Sequence, residues 1–444
     1  MIRTKPGWRG TRSLVAAAFL LVLAEPLQAR QDATPSRVPL AARQDATPSR
    51  VPQAARQDTT RSRPTPVAAQ QDVTLTRASP ADAGMSAAVL DAGVEIYRDA
   101  VERGDLMGAV LLVARDGKVV LHEAVGWRDA ERRLPMQPNT MLRMASNTKP
   151  VIATAVAMLV EQRKLGFDDL VREHVPSFDN YRSGFIRIHH LLSHTSGFRI
   201  GTLFVSPLMQ ASAEHPDAPT LQLEVARFGE VGAVEVPGTS YAYSNPGYNT
   251  LGALIEVASG EPLDVYLDRA IYTPLGMHDT YNHELAEKLD GKLERMSSVF
   301  YERRDGAWVA GWSPGDAAQV PFVRASGGLI STAWDYAIFC QMFLNGGVYG
   351  GARILREETV ERMTTPKTDP IGRDARGEPR HYGYGWFVDG DGTYSHTGSD
   401  GTFAWIDPER RLIGMVLTQT PRGATMRDRF KALVELAIEP AARR

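Results

Sequence analysis

The chain contains the stretch Arg143-Met144-Ala145-Ser146-Asn147-Thr148-Lys149-Pro150, which leads directly into residues 151–160, a run with no polar face. A helix that is apolar all round is covered on every side by protein, so this run predicts a central buried helix. Proline is tolerated only in the first turn of a helix because it lacks an amide hydrogen. Pro150 therefore fixes the start of the helix near Ser146, and we predict that it ends where Gly166 takes a left-handed conformation.

Ser146 and Lys149 are three residues apart, so on one face of a helix the lysine amine can reach the serine hydroxyl. Free amides and the helix dipole also favour negative charge that develops at this end of the helix. Lys149 is the only lysine of the chain with a serine three residues before it. Taken alone, the pair is better explained as a serine N-cap beside an exposed lysine, which is the commoner arrangement.

A second element is the loop at residues 241–248, in which Tyr243 and Asn245 form the only Y-x-N of the chain. Tyrosines in loops rich in glycine and proline usually serve packing. A phenol beside a lysine ammonium, however, has a lowered pKa and can act as a proton shuttle. Tyr243 is therefore a candidate catalytic residue.

A third element is His396-Thr397-Gly398, on a strand pattern that begins at Thr393 and is followed by Ser399. By itself this pattern indicates only a strand that ends in a turn. A glycine at this place lets a substrate lie close along the strand, and the amide that follows is free to donate to an oxyanion.

These three elements, in this order, resemble the serine β-lactamase and penicillin-recognising enzyme family, in the branch that holds class C β-lactamases, DD-peptidases and related esterases and D-amino-acid peptidases. The resemblance covers residues 77–444. It includes accessory stretches at residues 191–197, 247–252 and 325–332 that are similar to structural segments of the family.

The resemblance implies acyl transfer, in which Ser146 attacks a carbonyl and forms an acyl-enzyme that water hydrolyses. Lys149 and Tyr243 would share the role of base, and Asn245 would hold the substrate amide or position Lys149. The backbone amides of Ser146 and Ser399 would form the oxyanion hole. No metal or other cofactor is implied.

The strand element His396, Thr397 and Gly398 would bind the substrate, but its first residue departs from the class C β-lactamases, which carry lysine there. A histidine is mostly neutral at pH 7 unless its pKa is shifted, so its grip on a substrate carboxylate is weaker. This favours an ester or a D-amino-acid amide or peptide over a β-lactam, although one sequence does not separate the three.

The strand and helix patterns predict an α/β (α+β) fold in which N-terminal and C-terminal strands form one antiparallel sheet flanked by helices. A helix is predicted at residues 86–103, and Asp116-Gly117 predicts a hairpin between strands at 110–113 and 119–121. Further strands are predicted at 384–388, 392–396, 402–405 and 412–417, before a closing helix at 426–438. Residues from roughly 167 to 380 are predicted to form an inserted, mainly helical domain, with helices at 247–259, 262–271 and 333–344.

The N-terminus predicts export. Residues 1–29 combine early basic residues with a short apolar run, in the order of a secretory signal peptide. Leu27 is bulky for a cleavage site, so an uncleaved N-terminus stays open, but the apolar run is too short for a stable membrane span. A repeated sequence poor in large apolar residues predicts a disordered linker at residues 30–76. The hydrolase domain would then occupy residues 77–444, in the periplasm or outside the cell.

The composition of the chain limits the classes of molecule that it can bind. The chain has 444 residues and a formal net charge of −2, with no basic excess of the kind that nucleic acid requires. We therefore expect a small-molecule or peptide substrate and no nucleic-acid partner, and oligomeric state stays open. Cys340 is the single cysteine and lies in an apolar helical pattern, which predicts a buried structural thiol.

Three rival interpretations stay open. Gly311-Trp312-Ser313-Pro314-Gly315 matches G-x-S-x-G and could form an α/β-hydrolase triad with Asp389 or Asp391 and His396, although Pro314 and Gly315 indicate a turn. His190 and His194 have the spacing of two metal ligands on a helix, but a core or loop role is favoured because no third ligand is evident. A catalytically silent binding protein on the same fold is the third rival.

Overall fold

The computed structural model contains ten α-helices and fourteen strands within the residues that it describes, which are 72–198, 208–283, 288–289, 291–303, 306–318, 320–373, 376–421 and 424–439. The predicted signal peptide and all but the last residues of the predicted linker lie outside these ranges. Within them, no helix is both long enough and apolar enough to cross a bilayer. The described residues belong to one compact unit, Pro66–Arg444.

The strands are β1 (Thr76–Arg77), β2 (Gly108–Arg115), β3 (Lys118–Asp129), β4 (Leu134–Pro135), β5 (Leu142–Ala145), β6 (Val299–Glu302), β7 (Trp308–Trp312), β8 (Leu329–Ser331), β9 (Val348–Tyr349), β10 (Ala352–Arg353), β11 (Phe387–Val388), β12 (Tyr394–Thr397), β13 (Thr402–Asp407) and β14 (Leu412–Thr418). The α-helices are α1 (Ala87–Glu102), α2 (Thr148–Glu161), α3 (Ile188–Leu192), α4 (Leu221–Val231), α5 (Asn245–Ser259), α6 (Leu263–Leu267), α7 (Thr273–Leu275), α8 (Ala333–Leu344), α9 (Glu357–Met363) and α10 (Ala424–Leu436).

One sheet joins the two ends of the chain. Its strand order is β1-β3-β2-β14-β13-β12-β11, with β4 attached to β3, and all pairs are antiparallel except β1 with β3. The C-terminal strand β14 pairs with the N-terminal strand β2 along its whole length, from Leu412 opposite Arg115 to Thr418 opposite Ala109. The predicted fold class, a single sheet built from distant parts of the chain and flanked by helices, is confirmed.

Both faces of the sheet centre are buried, which explains why β2 is a continuous apolar run. Leu111 and Val113 pack in a core with α1 and α10, whereas Val110 and Leu112 pack in the opposite core with α2 and α8. Side chains of a strand alternate between faces, so a strand covered by helices on both sides needs apolar residues at every position.

The first hairpin forms as predicted, between β2 and β3. Asp116 and Gly117 take φ values of 53° and 76°, the left-handed conformations that a two-residue hairpin turn requires. The folded domain begins before the predicted boundary at residue 77. The Asp72 carboxylate already accepts hydrogen bonds from the amides of Gly350 and Gly351, at 2.8 and 2.6 Å. These contacts tie the segment before β1 to the body of the protein.

The central helix α2 is buried on all sides, as its apolar run predicts. Its end differs from the prediction, since the left-handed residue is Arg163, with φ of 60°, and not Gly166. The amide of Arg163 bonds to the carbonyl of Val160, and the amide of Lys164 returns to the carbonyl of Leu159. This pair of bonds satisfies the last free carbonyls of the helix before Gly166 is reached.

The described part of residues 167–380 contains helices α3–α9 together with short strand pairs. The helix predicted at 262–271 is divided, because α6 continues as one π-helical turn, Asp268–Tyr272. Helix α8 matches its predicted bounds, and Cys340 within it is fully buried with a pKa raised by burial, which confirms a structural thiol. Strand β8 pairs with β5, the strand that leads to Ser146.

A buried carboxyl in α8 gives a testable pH dependence. Asp335 is 6% exposed and accepts the Asp279 amide and the Thr280 hydroxyl at 2.7 and 3.1 Å, and burial raises its pKa to about 6. The folded protein therefore keeps a proton that the unfolded chain releases, so this group's contribution to stability falls as pH rises from about 4 to about 6. As pH rises across this interval, the free energy of unfolding of Asp335→Asn should increase by up to about 3 kcal/mol relative to that of the wild type, as measured by urea unfolding. A difference independent of pH would contradict the assignment.

Candidate active site

The strand β5 and the helix α2 are joined by a sharp turn that carries Ser146. Ala145 takes a φ of 47°, an unfavourable conformation for a residue with a side chain. The turn is held by hydrogen bonds from the Asn147 amide to the Met144 carbonyl and from the Thr148 hydroxyl to the Ala145 carbonyl. Ser146 thus lies two residues before the helix begins, at the N-terminal end that Pro150 predicts.

Lys149 is fully buried in the first turn of α2. Its Nζ lies 3.1 Å from Ser146 Oγ, 2.9 Å from Asn245 Oδ1 and 2.7 Å from the carbonyl oxygen of Ser326. Burial lowers the pKa of the amine well below its ordinary value, and the Arg324 guanidinium lowers it further. An uncharged amine has a lone pair, so Lys149 can accept the hydroxyl proton of Ser146.

Tyr243 lies above the lysine, with Lys149 Nζ 4.7 Å from the centre of its ring. The residue as a whole is 40% exposed, while its hydroxyl is buried and hydrogen-bonded to Ser146. Burial raises the pKa of Tyr243, and the bond to Ser146 opposes this shift only in part. The predicted lowering of this pKa by a lysine ammonium is wrong, because the phenol is desolvated and burial disfavours the ammonium form of Lys149.

Asn245 is the first residue of α5, after the N-cap Ser244. The position follows from local chemistry, since the Ser244 hydroxyl accepts the Gly247 amide and Pro246 occupies the first turn. The side-chain oxygen of Asn245 accepts a hydrogen bond from Lys149. Of the two roles that the resemblance implies, this contact favours positioning of Lys149.

The strand β12 places its side chains on two faces. Thr397 lines the open cleft, whereas His396 is fully buried on the other face and its Nε2 lies 3.2 Å from the Tyr382 hydroxyl. Burial lowers the pKa of His396 to about 3, so the imidazole is neutral at pH 7. The structure therefore brings His396 close to Tyr382 and Tyr243 but not to the cleft surface.

Gly398 brings β12 against the turn that holds Ser146. A Cβ at this position would lie 2.5 Å from the Met144 carbonyl oxygen and closer still to Thr402 Oγ1. Thr402 Oγ1 donates to the same Met144 carbonyl and accepts from Asn147 Nδ2, each at 2.9 Å. The absence of a side chain at 398 therefore permits the close approach of Ser399 to the Ser146 turn.

His194 supports the Y-x-N loop, a role that the spacing of His190 and His194 did not indicate. It is 1% exposed, its Nδ1 accepts the Ser244 amide at 3.0 Å, and its ring centre is 4.3 Å from that of Tyr243. Burial lowers the pKa of His194 well below 6.5, so Nδ1 stays available as an acceptor. The available signal was its place in the accessory stretch at 191–197.

Two cavities adjoin these residues. The smaller, of about 190 Å³, is lined by Ser146, Asn245 and Ser399 among others. The larger, of about 640 Å³, is lined by Tyr243 and Thr397 among others. Ser146 itself lines the smaller cavity, and it is linked to the larger one through its hydrogen bond with Tyr243.

The arrangement matches a known protein family. The family model described as Beta-lactamase matches residues 94–438. The chain belongs to the beta-lactamase family. It is therefore a serine hydrolase of the β-lactamase fold, which confirms the resemblance and the predicted enzyme class.

Two bacterial proteins are similar to this chain over most of its length. A Mycobacterium tuberculosis protein, Rv1367c, is 30% identical over 74% of this chain and 90% of its own length. An Escherichia coli K12 protein, provisionally named a D-alanyl-D-alanine carboxypeptidase, is 28% identical over 78% of this chain and 86% of its own.

Solved structures show the same fold. EstCE1, described as a hydrolase with promiscuous acyltransferase activity, has a TM-score of 0.64 at 23% identity, over 80% of this chain and 99% of its own. The octameric penicillin-binding protein homologue from Pyrococcus abyssi has a TM-score of 0.63 at 26% identity, over 80% of this chain and 78% of its own.

The rival G-x-S-x-G element has a different geometry from a nucleophile elbow. Ser313 follows β7 and enters a turn in which its amide bonds to Asp316, and none of the described residues between this turn and β8 is helical. Its hydroxyl lies 3.1 Å from that of Ser298, while His396 is bonded to Tyr382. A beta-lactamase family site at Ser146 explains the described contacts better.

The two histidines of the possible metal pair are engaged separately. His190 Nδ1 accepts the amide of Arg187, and His194 Nδ1 accepts the amide of Ser244. Among the described residues, the group of three potential ligands that lie close enough together is Asp169, Glu173 and His174, which includes neither histidine.

Proposed function

We propose that this protein is an exported hydrolase that forms an acyl-enzyme on Ser146 with an ester or a D-amino-acid amide or peptide. The observation that carries the proposal is the 3.1 Å contact between the Ser146 hydroxyl and the buried Lys149 amine, whose pKa is lowered. A lowered pKa favours the uncharged amine, and an uncharged amine next to a hydroxyl is the arrangement of a nucleophile with its base.

The reaction follows from the contacts. Lys149 accepts the hydroxyl proton while Ser146 Oγ bonds to the substrate carbonyl carbon, and the amides of Ser146 and Ser399 donate to the carbonyl oxygen. Tyr243, neutral because burial raises its pKa, donates its own hydroxyl proton to the leaving group as the carbonyl–leaving group bond breaks, and the proton held by Lys149 then replaces it. Water then attacks the carbonyl carbon of the acyl-enzyme and gives a proton to Lys149, which returns it to Ser146 Oγ as the acyl–Oγ bond breaks. Asn245 keeps Lys149 in position through both steps.

The substrate preference rests on position 396. A buried, neutral His396 presents no positive charge to the cleft, which disfavours the carboxylate grip of a class C β-lactamase. The name of the Escherichia coli relative supports a D-amino-acid peptide, and the description of EstCE1 supports an ester. We rank β-lactams below both.

Export rests on the N-terminal sequence. Residues 1–29 carry the charge and hydropathy order of a signal peptide, so we place the enzyme in the periplasm or outside the cell. The repeated sequence after residue 29 would link the signal segment to the domain, whose contacts begin at Asp72 and not at residue 77.

The decisive experiment is intact-mass analysis after exposure to a fluorophosphonate or an activated ester. We expect one adduct on the wild type and on Ser313→Ala, and none on Ser146→Ala. An adduct that disappears with Ser313 instead would support the α/β-hydrolase alternative. The lack of any adduct, together with no turnover, would support a binding protein.

Substrate class is tested by rates on a p-nitrophenyl ester, a D-alanyl dipeptide and a chromogenic cephalosporin. We expect turnover of the ester or the dipeptide to exceed that of the cephalosporin. Fast cephalosporin turnover would contradict the argument from His396.

A further inference from the structure

The two cavities divide a substrate between them, and this division rests on the proposed function. Tyr243, which delivers the proton to the leaving group, and Thr397 both line the larger cavity. Ser399, whose amide would hold the carbonyl oxygen, and Asn245 line the smaller one. The leaving group therefore occupies the larger cavity and the acyl group occupies the smaller.

The smaller cavity is charged. Its lining includes two guanidinium groups, Arg143 and Arg324, and one carboxylate, Asp400, so its formal charge is +1. Arg143 is buried, its Nε lies 3.4 Å from Asp400 Oδ2, and its guanidinium lies 5.1 Å from the centre of the Trp312 ring. Arg143 and Asp400 thus form a fixed wall in which the two charges offset each other.

Arg324 supplies the positive character of the cavity. It is half-buried and lines the same small cavity as Ser146, and its charge lowers the pKa of Lys149. Guanidinium groups bind carboxylates through paired hydrogen bonds, which are among the strongest that proteins form.

The remaining lining offers little apolar surface. It consists of polar side chains, including Ser326 and Tyr301, and the small residues Ala145 and Gly327. An aliphatic acyl group would cover the guanidinium of Arg324 without offering it a hydrogen-bond acceptor, which is unfavourable. A volume of about 190 Å³ accommodates a short chain only.

We propose that the smaller cavity selects short acyl groups that carry a carboxylate, of succinyl or glutaryl size, and that Arg324 binds this carboxylate. The inference concerns the acyl side of the substrate, and it is independent of whether the leaving group is an alcohol or an amine. It makes Arg324 a specificity-determining residue.

The test compares esters that share the p-nitrophenol leaving group and differ in the charge of the acyl group. Wild-type kcat/KM is measured on the p-nitrophenyl half-esters of succinic and glutaric acid and on p-nitrophenyl butyrate and valerate, with Ser146→Ala subtracted as the background. We expect a preference of about 10–100-fold for the charged acyl groups, the range of one charge-assisted hydrogen-bonded pair. A preference for the neutral esters, or none, would overturn the inference.

Variants of Arg324 test whether this residue causes the preference for charged acyl groups. In Arg324→Gln, compared at the pH plateau of each protein, the ratio of charged to neutral ester should fall towards one, while Arg324→Lys should keep part of it. Lys431→Gln removes the same charge from the lining of the larger cavity and should leave the ratio within a few-fold of the wild type. An unchanged ratio in Arg324→Gln would overturn the assignment, and so would an equal loss in Lys431→Gln.

The outcome also separates this inference from the proposed function. If neither the charged nor the neutral esters are turned over, and none of them leaves an acyl group on Ser146, the proposed function fails and the inference fails with it. If both esters acylate Ser146 without preference for the charged one, the inference alone fails.

Discussion

Replacing Lys149 with methionine should lower kcat by about 10³–10⁴-fold and change KM by no more than a few-fold. Methionine fills a similar volume but removes the amine, which is the only group within the described residues that we place as the base for Ser146. Stopped-flow release of p-nitrophenol measures acylation directly. Loss of the rapid phase, with the protein still folded, is the expected result.

Lys164, which follows the C-terminal end of α2, offers a matched control for the Lys149 substitution. Lys164 is exposed just after α2, and Lys164→Met makes the same chemical change away from the cleft. It should retain activity within a few-fold. If Lys149→Met kept more than about a tenth of wild-type acylation, Tyr243 alone would have to act as the base, and the assignment would be wrong.

The pH profile follows from the same amine. Lys149 acts in its unprotonated form, so activity should rise with pH through the lowered pKa of Lys149 and be lost below it. Neither His396, with a pKa of about 3, nor His194, also lowered by burial, titrates near neutrality. The acidic limb should therefore remain in a variant of His396 that folds.

Local patterns predicted those features that depend on near neighbours. The three-residue spacing of Ser146 and Lys149, the Asp116-Gly117 turn and the uniformly apolar α2 each encode a geometry within a few residues. The order of the three motifs supplied the resemblance that joined distant segments. These parts of the fold and the site therefore follow from the amino-acid sequence alone.

Features that depend on burial could not be derived in this way. Alternation along β12 shows that His396 and Thr397 face opposite sides, but not which side meets the cleft. The sign of the pKa shift of Tyr243 required the burial of its hydroxyl and of Lys149. Arg324 is remote in sequence from Ser146, so only the folded chain places its charge in the small cavity.

The contact between β12 and the Ser146 turn makes Gly398 the position where a small change should have a large effect. Its φ is not left-handed, so the reason for glycine is space and not backbone conformation. A methyl group there meets the carbonyl oxygen of Met144 and Thr402 Oγ1, and both atoms are held by the hydrogen bond between them. Neither can move without displacing the turn or the strand.

We therefore expect Gly398→Ala to lower kcat by about 10²-fold and stability by about 1–3 kcal/mol, because overpacking separates the Ser399 amide from the Ser146 turn. Activity on a p-nitrophenyl ester and urea unfolding measure the two effects. Gly390→Ala is the matched control, since a Cβ at residue 390 meets open space, and both quantities should stay near wild type. Full activity in Gly398→Ala would mean that the oxyanion is held by amides other than that of Ser399, and that β12 acts on the substrate in another way.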